Sequence, residues 1–220
     1  MIKLVIFDLD GTLMNAYPAV LRSINYTLKK LGFQKRNYDT IRRAVGWGDS
    51  SLLRGFVGAD NLKKAIAIYR PHHALALKTG TTLLPGAKNV LNKLKRRGYL
   101  LAVASNRPTR FSLIALHYLK IKSYFDYVLC ADKVKKGKPA PDIFQQILKK
   151  FSLKPREALY VGDMTIDVVA GKKAKIPTAA VLTGSCSRAE IARLKPKWII
   201  KDVSQIPDIL DTLPPKRTNF

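Results

Sequence analysis

LVIFDLDGTL, residues 4–13, is an apolar run that ends in two carboxylates, Asp8 and Asp10. The run is short, continuous and rich in branched aliphatic side chains, which is typical of a strand buried on both faces of a parallel sheet. Because burying charge without a partner is costly, the two aspartates predict a cation at the end of this strand.

Apolar runs of the same kind recur along the chain, with helical patterns between them. One such pattern, at 85–98, places Val90, Leu91 and Leu94 on one helix face and ends at Gly98. This alternation predicts an α/β fold built on a doubly wound parallel sheet. The predicted strands are residues 4–8, 99–105, 127–131, 158–162, 178–182 and 198–202.

Residues 14–81 interrupt the alternation because they contain helical patterns but no clear strand. We therefore predict an α-helical cap over residues 14–81, inserted into a Rossmann-like core of residues 1–13 and 82–220. Since the cap directly follows the first strand, it should lie over the carboxyl edge of the sheet and exclude water there. The predicted cap helices cover residues 17–31, 40–45, 50–56 and 61–77.

The chain of 220 residues carries 40 Lys and Arg against 15 Asp and Glu, a formal net charge of +25. The basic residues are spread as pairs and triplets without a nucleic-acid-binding motif, so they are interpreted as solvated surfaces that steer a small anion, and nucleic-acid binding is not expected. No apolar run is long enough for a secretory signal or a membrane span, which predicts a cytoplasmic protein. A monomer and a homodimer are both compatible with the sequence.

Polar side chains stand at or just beyond the carboxyl ends of several predicted strands. Ligands bind at this edge of open parallel sheets, so residues that are distant in sequence can meet in one crevice. Several aspartates there require a cation, and oxygen ligands suit Mg²⁺. Such a cation would let a carboxylate approach a phosphate, and aspartate is a known nucleophile in aspartyl-phosphate chemistry. The residues concerned are Asp8, Asp10, Ser105, Asn106, Asp163 and Asp167.

A lysine in the segment KKGKPAPD, residues 135–142, is the candidate for the remaining positive charge of the crevice. Together with the strand ends it completes four motifs: DLDGT at 8–12, ASN at 104–106, GKPAPD at 137–142 and GDMTIDVVAGKKAKI at 162–176. With these motifs in this order, the chain resembles the haloacid dehalogenase superfamily of phosphohydrolases over nearly its whole length. Within it, the chain is similar to the phosphoglycolate phosphatase-like group with a helical cap.

The resemblance implies a role for each motif residue. Asp8 would attack phosphorus and become the aspartyl-phosphate, while Asp10 would protonate the leaving oxygen and later deprotonate the hydrolytic water. Ser105 and the backbone amide of Asn106 would hold phosphate oxygens. Lys138 would neutralise the charge that Asp8 and the phosphoryl group share.

The resemblance also implies a Mg²⁺ site and a substrate-reading loop. Asp8, the backbone carbonyl of Asp10 and Asp163 would bind Mg²⁺, with Asp167 as a further ligand or as support. The loop GWGD at 46–49 stands where this family usually reads its substrate. The cap candidates for substrate contact are Arg42, Arg43, Trp47 and Arg54.

Simpler interpretations stand beside these roles. Asp8 and Asp10 could form a turn and a helix cap, and Asp167 could be an ordinary acid in the first turn of a helix. His72 and His73 are interpreted as ordinary helix residues, because adjacent side chains point in different directions.

We therefore predict a phosphoric monoester hydrolase that depends on Mg²⁺ and acts on a small anionic phosphorylated substrate, with phosphoglycolate as the first candidate. Asn15 and Met164 depart from the family pattern, which weakens any substrate taken from a particular relative. A pyrophosphatase or a sugar-phosphate mutase of the same superfamily is the alternative enzyme. A non-catalytic protein that binds nucleic acid or another protein is the alternative from a different class.

Overall fold

The computed structural model describes residues 1–213 and contains a six-stranded parallel sheet and a two-stranded ribbon. The order of strands in the large sheet is β5-β4-β1-β6-β7-β8, and the ribbon pairs β2 with β3. The strands are β1 (Leu4–Phe7), β2 (Met14–Asn15), β3 (Thr82–Leu83), β4 (Leu100–Ser105), β5 (Tyr127–Cys130), β6 (Ala158–Gly162), β7 (Thr178–Val181) and β8 (Trp198–Ile200).

Helices cover both faces of the large sheet, as the buried character of its strands requires. Side chains alternate along β1, so that Val5 packs in the cluster that contains Leu91, whereas Ile6 packs in the cluster that contains Phe144. This arrangement confirms the predicted doubly wound α/β fold. The helices are α1 (Tyr17–Lys30), α2 (Tyr38–Ala44), α3 (Asp49–Val57), α4 (Leu62–Ala76), α5 (Ala87–Arg96), α6 (Thr109–Tyr118), α7 (Asp142–Lys150), α8 (Thr165–Lys173), α9 (Arg188–Arg193) and α10 (Ile206–Asp211).

The helices α1 to α4 form the segment predicted as the cap and have a hydrophobic cluster of their own. Val20, Ile24, Leu53 and Tyr69 are buried in it. The antiparallel ribbon of β2 and β3 joins this segment to the sheet, with Met14 opposite Leu83. The prediction that residues 14–81 contain no strand is therefore wrong at β2, because a two-residue strand is too short to produce an alternating pattern.

The centre of the sheet brings the motif loops together. β1 lies between β4 and β6, with Val5 in register with Leu101 on one side and Leu159 on the other. All three strands run parallel, so the segments that follow Phe7, Ser105 and Gly162 leave the sheet at the same edge. The predicted core boundary at residue 220 lies outside the described residues. No helix in the described part of the chain combines the length and hydrophobicity of a membrane span.

Candidate active site

Three aspartates meet at the carboxyl edge of the sheet. Asp8 follows β1, Asp163 follows β6, and Asp167 lies in the first turn of α8. All three are buried, and each offers one carboxylate oxygen within 4.8 Å of those of the other two. Like charges this close together require a compensating cation.

Lys138 supplies part of that compensation from the loop before α7. Its Nζ lies 2.9 Å from Asp8 Oδ1 and 2.8 Å from Asp167 Oδ1, and it donates a hydrogen bond of 3.0 Å to the Tyr160 hydroxyl. Burial alone would lower the pKa of Lys138, but the charges of Asp167 and Asp8 outweigh burial and raise that pKa above its usual value. The lysine is therefore a permanent cation beside Asp8.

Asp167 uses both of its oxygens to anchor the site. Oδ1 accepts from Lys138 and, at 2.6 Å, from the Tyr160 hydroxyl, while Oδ2 accepts from the backbone N–H groups of Asp163 at 3.1 Å and Met164 at 2.9 Å. Burial and the charge of Asp167 raise the pKa of Tyr160 well above 10, so its hydroxyl stays protonated and continues to donate.

Asp163 is held on one oxygen only. Oδ1 accepts a hydrogen bond of 2.9 Å from Thr12 Oγ1, whereas the buried Oδ2 has no hydrogen-bond partner within residues 1–213. Two glycines leave room around this oxygen, because a Cβ would lie 2.5 Å from it at Gly11 and 1.6 Å from it at Gly184. Burial and the charges of Asp167 and Asp8 raise the pKa of Asp163 well above its ordinary value.

The pKa of the Asp8 carboxyl group is raised for the same reason. Burial raises its pKa to about 6, although Lys138 opposes the shift. Asp8 Oδ1 and Asp163 Oδ2 both lack a hydrogen-bond partner in the described chain, although Lys138 Nζ forms an ion pair with the former, and such carboxylate oxygens form a donor set that fits a hard divalent cation. The residues present are thus compatible with the divalent metal ion that the resemblance of the four motifs implies.

Asn106 joins three segments around the site. Its Oδ1 accepts from the backbone N–H of Lys138 at 2.8 Å, and its Nδ2 donates to the backbone carbonyls of Lys138 at 2.8 Å and Gly46 at 2.9 Å. Gly46 belongs to the loop between α2 and α3, so Asn106 ties this loop to the core. Ser105 Oγ accepts from the backbone N–H of Arg107 at 3.3 Å.

Asp10 pairs with an arginine to which the sequence analysis assigned no role. Arg107 Nε and Nη2 donate to its carboxylate at 2.7–2.9 Å, and Arg107 Nη1 lies 3.1 Å from Nε2 of His73 on α4. Because Ser23 donates its hydroxyl proton to the Ala19 carbonyl at 2.8 Å, His73 Nδ1 must donate to Ser23 Oγ at 3.2 Å, and Nε2 therefore accepts from Arg107. His73 is thus a neutral link between the two segments.

A cavity of about 50 Å³ lies over Asp8. Asp10, Lys138, Ser105 and Asn106 also line it, so the cavity wall contains every predicted catalytic and phosphate-binding residue. The polar side chains of Asp49, Tyr69, His73 and Arg107 line the cavity as well. Apolar side chains from both the core and the cap segment also contribute: Val20, Val45, Leu52, Phe111, Met164 and Ile166.

This arrangement agrees with the comparisons to known proteins. A sequence model of the haloacid dehalogenase-like hydrolase family matches residues 5–181. The chain belongs to the haloacid dehalogenase-like hydrolases. The resemblance deduced from the four motifs is thereby confirmed, and the protein is a phosphoric monoester hydrolase that acts on small phosphorylated substrates.

The relatives of this haloacid dehalogenase-like hydrolase include several phosphatases. Phosphoglycolate phosphatase 1 of Pseudomonas aeruginosa is 30% identical over 217 residues, which cover 93% of this chain and 78% of the relative. The phosphoglycolate phosphatase of Aquifex aeolicus is 31% identical over 182 residues, which cover 83% of this chain and 85% of the relative. The crystal structure of a predicted phosphoglycolate phosphatase from Haemophilus somnus has a TM-score of 0.89 at 30% identity and covers 95% of this chain and 98% of that chain.

The cap candidates of this hydrolase lie away from the cavity over Asp8. Arg42 donates to the carbonyl of Gly184, and Arg43 donates to the carbonyl of Ser185 at 2.9 Å and forms an ion pair with Glu190. These two arginines tie α2 to the core. The other two are exposed: Trp47 is 51% exposed, and Arg54 lies on the surface of α3. None of the four lines the described cavity.

Arg107 and His73 are two polar cavity-lining residues to which the sequence analysis assigned no role. A signal existed for Arg107, because it stands at the carboxyl end of β4 beside Ser105 and Asn106. No local signal existed for His73, since its contact with Arg107 joins residues far apart in the chain. The interpretation of His73 as an ordinary helix residue overlooked that contact.

Proposed function

We propose that the protein is a Mg²⁺-dependent phosphatase that forms an aspartyl-phosphate on Asp8, and that phosphoglycolate is its first candidate substrate. The observation that carries the proposal is the buried Asp8–Lys138 ion pair beside Asp163, whose Oδ2 lacks a partner in the described chain. A carboxylate next to a permanent cation, at the base of a cavity, suits nucleophilic attack on a phosphoryl group.

Asp8 and Asp10 divide the reaction between them. An oxygen of Asp8 attacks phosphorus, the bond from phosphorus to the ester oxygen breaks, and Asp10 gives a proton to the leaving oxygen. Asp10 then takes a proton from water, whose oxygen attacks phosphorus and releases Asp8 together with inorganic phosphate. Lys138 offsets negative charge on the phosphoryl oxygens throughout, from a position that Asp167 and Tyr160 fix.

The metal site is proposed at the same aspartates. Asp8, Asp163 and the backbone carbonyl of Asp10 would hold the ion, and the two engaged oxygens of Asp167 support the interpretation that this residue positions Lys138 and the Asp163 loop. When bound, Mg²⁺ supplies positive charge that lets an anionic phosphate approach a carboxylate.

The small cavity and the names of the relatives support a small substrate. A space of about 50 Å³ under the cap segment accommodates little beyond a phosphoryl group without rearrangement. The relatives from P. aeruginosa and A. aeolicus are both phosphoglycolate phosphatases, and phosphoglycolate has a leaving group of only a few atoms.

Phosphate release from phosphoglycolate, other phosphomonoesters and pyrophosphate tests the proposal, with Mg²⁺ or with EDTA. Asp8→Asn should lower kcat by about a thousandfold or more, because the amide is a poor nucleophile. Asp60→Asn, which changes an exposed aspartate of the cap segment, should have the wild-type rate. Activity that survives EDTA, or that Asp8→Asn retains, would contradict the mechanism. Isomer formation without net phosphate release would instead identify a mutase.

A further inference from the structure

Arg107 has more hydrogen-bonding capacity than its partners use. A guanidinium group carries five N–H donors: one on Nε and two on each Nη. Nε and Nη2 face the carboxylate of Asp10, and Nη1 donates to His73 Nε2. One N–H of Nη1 therefore has no partner among residues 1–213. Since the Arg107 side chain is only 7% exposed, this donor is buried in the wall of the cavity over Asp8.

The other cation of the cavity wall is surrounded by three oxygen atoms, of which Asp8 Oδ1 is held by an ion pair and not by a hydrogen bond. Lys138 Nζ has three N–H groups and three neighbours, which are Asp8, Asp167 and Tyr160. The amide of Asn106 is saturated, because Nδ2 donates to two carbonyls and Oδ1 accepts from one N–H. Arg107 is thus a cationic side chain of the described wall with a donor that no described residue accepts, and this donor lies on the Asp10 side of the cavity wall and not beside Asp8.

The position of this donor separates it from the phosphoryl site. Lys138 lies beside the nucleophile Asp8, whereas Arg107 lies beside Asp10, the proposed proton donor to the leaving oxygen. A group held by Arg107 would therefore belong to the leaving part of the substrate. The remaining polar side chains of the wall are Tyr69 and Asp49, and Asp49 is already ion-paired with Arg70 at 2.8 Å, so neither offers a second cation to that part of the substrate.

We propose that Arg107 forms a subsite for a second anionic group of the substrate, a carboxylate or a second phosphate close to the ester oxygen. The inference rests on the proposed function and deepens it by naming the substrate class. Nη1 of Arg107 binds the anion while Nε and Nη2 keep their contact with Asp10, so the ion pair need not break. His73 holds the plane of the guanidinium group through Nη1, and Ser23 fixes the tautomer of His73.

Binding of inert analogues tests the subsite independently of turnover. Phosphonopropionate has the shape and both anionic groups of phosphoglycolate, but its methylene group replaces the ester oxygen. Propylphosphonate has the same length and lacks the carboxylate. In calorimetric titrations with Mg²⁺, the wild type should bind phosphonopropionate about 10–100 times more tightly than propylphosphonate. A hydrogen bond to a buried charged group has an effect of this size. Ethylene bisphosphonate carries a second phosphonate in place of the carboxylate, so its affinity shows which of the two anions the subsite prefers.

Two variants and a control complete the test. Arg107→Gln should remove most of the preference for the carboxylated analogue, and Arg107→Lys, which keeps a charge, should restore part of it. Arg110→Gln removes an exposed positive charge on the same segment, outside the cavity, and should keep the wild-type preference. Circular dichroism verifies that each variant is folded.

The outcomes separate the subsite from the proposed reaction. The subsite is refuted if wild type shows no preference for the carboxylated analogue, or if Arg107→Gln weakens the binding of both analogues equally. Arg107 then only supports Asp10, even where phosphate release proceeds. If the preference exists and depends on Arg107 while no phosphate is released from any ester, the subsite holds and the proposed hydrolysis fails.

Discussion

The carboxylate of Asp163 is constrained on one side by Thr12 and left open on the other. Its unpartnered oxygen is buried, and backbone rather than side chain surrounds it at Gly11 and Gly184. A buried oxygen without a donor costs free energy in the absence of a cation. The two glycines are therefore part of the site, because they preserve the space in which this oxygen can meet a metal ion.

The substitution Gly184→Ala tests whether the space around Asp163 Oδ2 is needed for metal binding. The φ angle of Gly184 lies outside the left-handed region, so alanine introduces no backbone strain, yet its Cβ would lie 1.6 Å from Asp163 Oδ2. Displacing Asp163 should raise the Mg²⁺ concentration for half-maximal phosphate release by about 10–100-fold, as measured in metal titrations of the rate. Gly55→Ala is the matched control, because its Cβ meets nothing within 4 Å. An unchanged Mg²⁺ requirement in Gly184→Ala would separate Asp163 from metal binding.

At the scale of elements, α2 joins the cap segment to the segment that follows β7. Arg43 donates to the carbonyl of Ser185 and pairs with Glu190, which lies 147 positions later in the chain. Hydrogen bonding from Arg43, together with the backbone N–H of Ser187, lowers the pKa of Glu190 to about 2. The contribution of this contact to stability is therefore complete above about pH 4.5 and is lost as the pH falls toward 2.

Arg43→Gln should loosen α2 without disturbing the sheet. Because the contact is exposed and screened by solvent, we expect amide hydrogen exchange in α2 to accelerate only about two- to fivefold, and exchange in β1 and β6 to stay unchanged. Arg54→Gln removes a charge from the surface of α3 and serves as the control. Equal acceleration in both variants would show that surface charge in general, and not the contact with Glu190, holds α2.

The elements also show what a sequence can and cannot reveal. The strands of the large sheet were predictable to within two residues, because burial on both faces produces long apolar runs. The residues of the four motifs were predictable as neighbours, because parallel strands end at one edge. The ribbon strand at Met14 was not predicted, because a strand of two residues is too short to produce a recognisable pattern. The contacts of Arg43 and Arg107 depend on how the cap segment packs on the core, and residue spacing carries no information about that packing.

On the scale of the whole molecule, charge is distributed unevenly. The chain has a formal net charge of +25, yet four of its 15 acidic residues lie together: Asp8, Asp163 and Asp167 form one buried cluster, and Asp10 lines the same cavity as Asp8. A positive exterior attracts a small phosphorylated anion toward the molecule, and Lys138 and Arg107 continue that attraction inside. The acidic cluster itself requires a cation before such an anion can approach.

The cap segment and the core are joined in their interior by His73, which makes the stability of the whole chain depend on pH. His73 is buried, stacks on Tyr69 of α4 at 4.7 Å and meets Phe111 of α6 edge-on at 5.0 Å. Burial, followed by the charge of Arg107, lowers its pKa well below 6.5 in the folded protein. The unfolded chain therefore binds a proton near pH 6.5 that the folded chain excludes, so this contribution is complete above pH 6.5 and is lost as the pH falls below it.

Free energies of unfolding in urea, measured in EDTA between pH 5 and 7.5, should therefore fall toward acid less steeply in His73→Gln than in wild type. The difference in slope below pH 6.5 should approach about 1.4 kcal/mol per pH unit, the limit for one proton. Comparing the two slopes cancels the opposite effect of Asp8, whose raised pKa of about 6 favours the folded state toward acid. His117→Gln, at an exposed histidine of α6, should keep the wild-type slope. If His73→Gln also keeps it, His73 takes up a proton in the folded protein, and the neutral link from Ser23 to Arg107 is wrong.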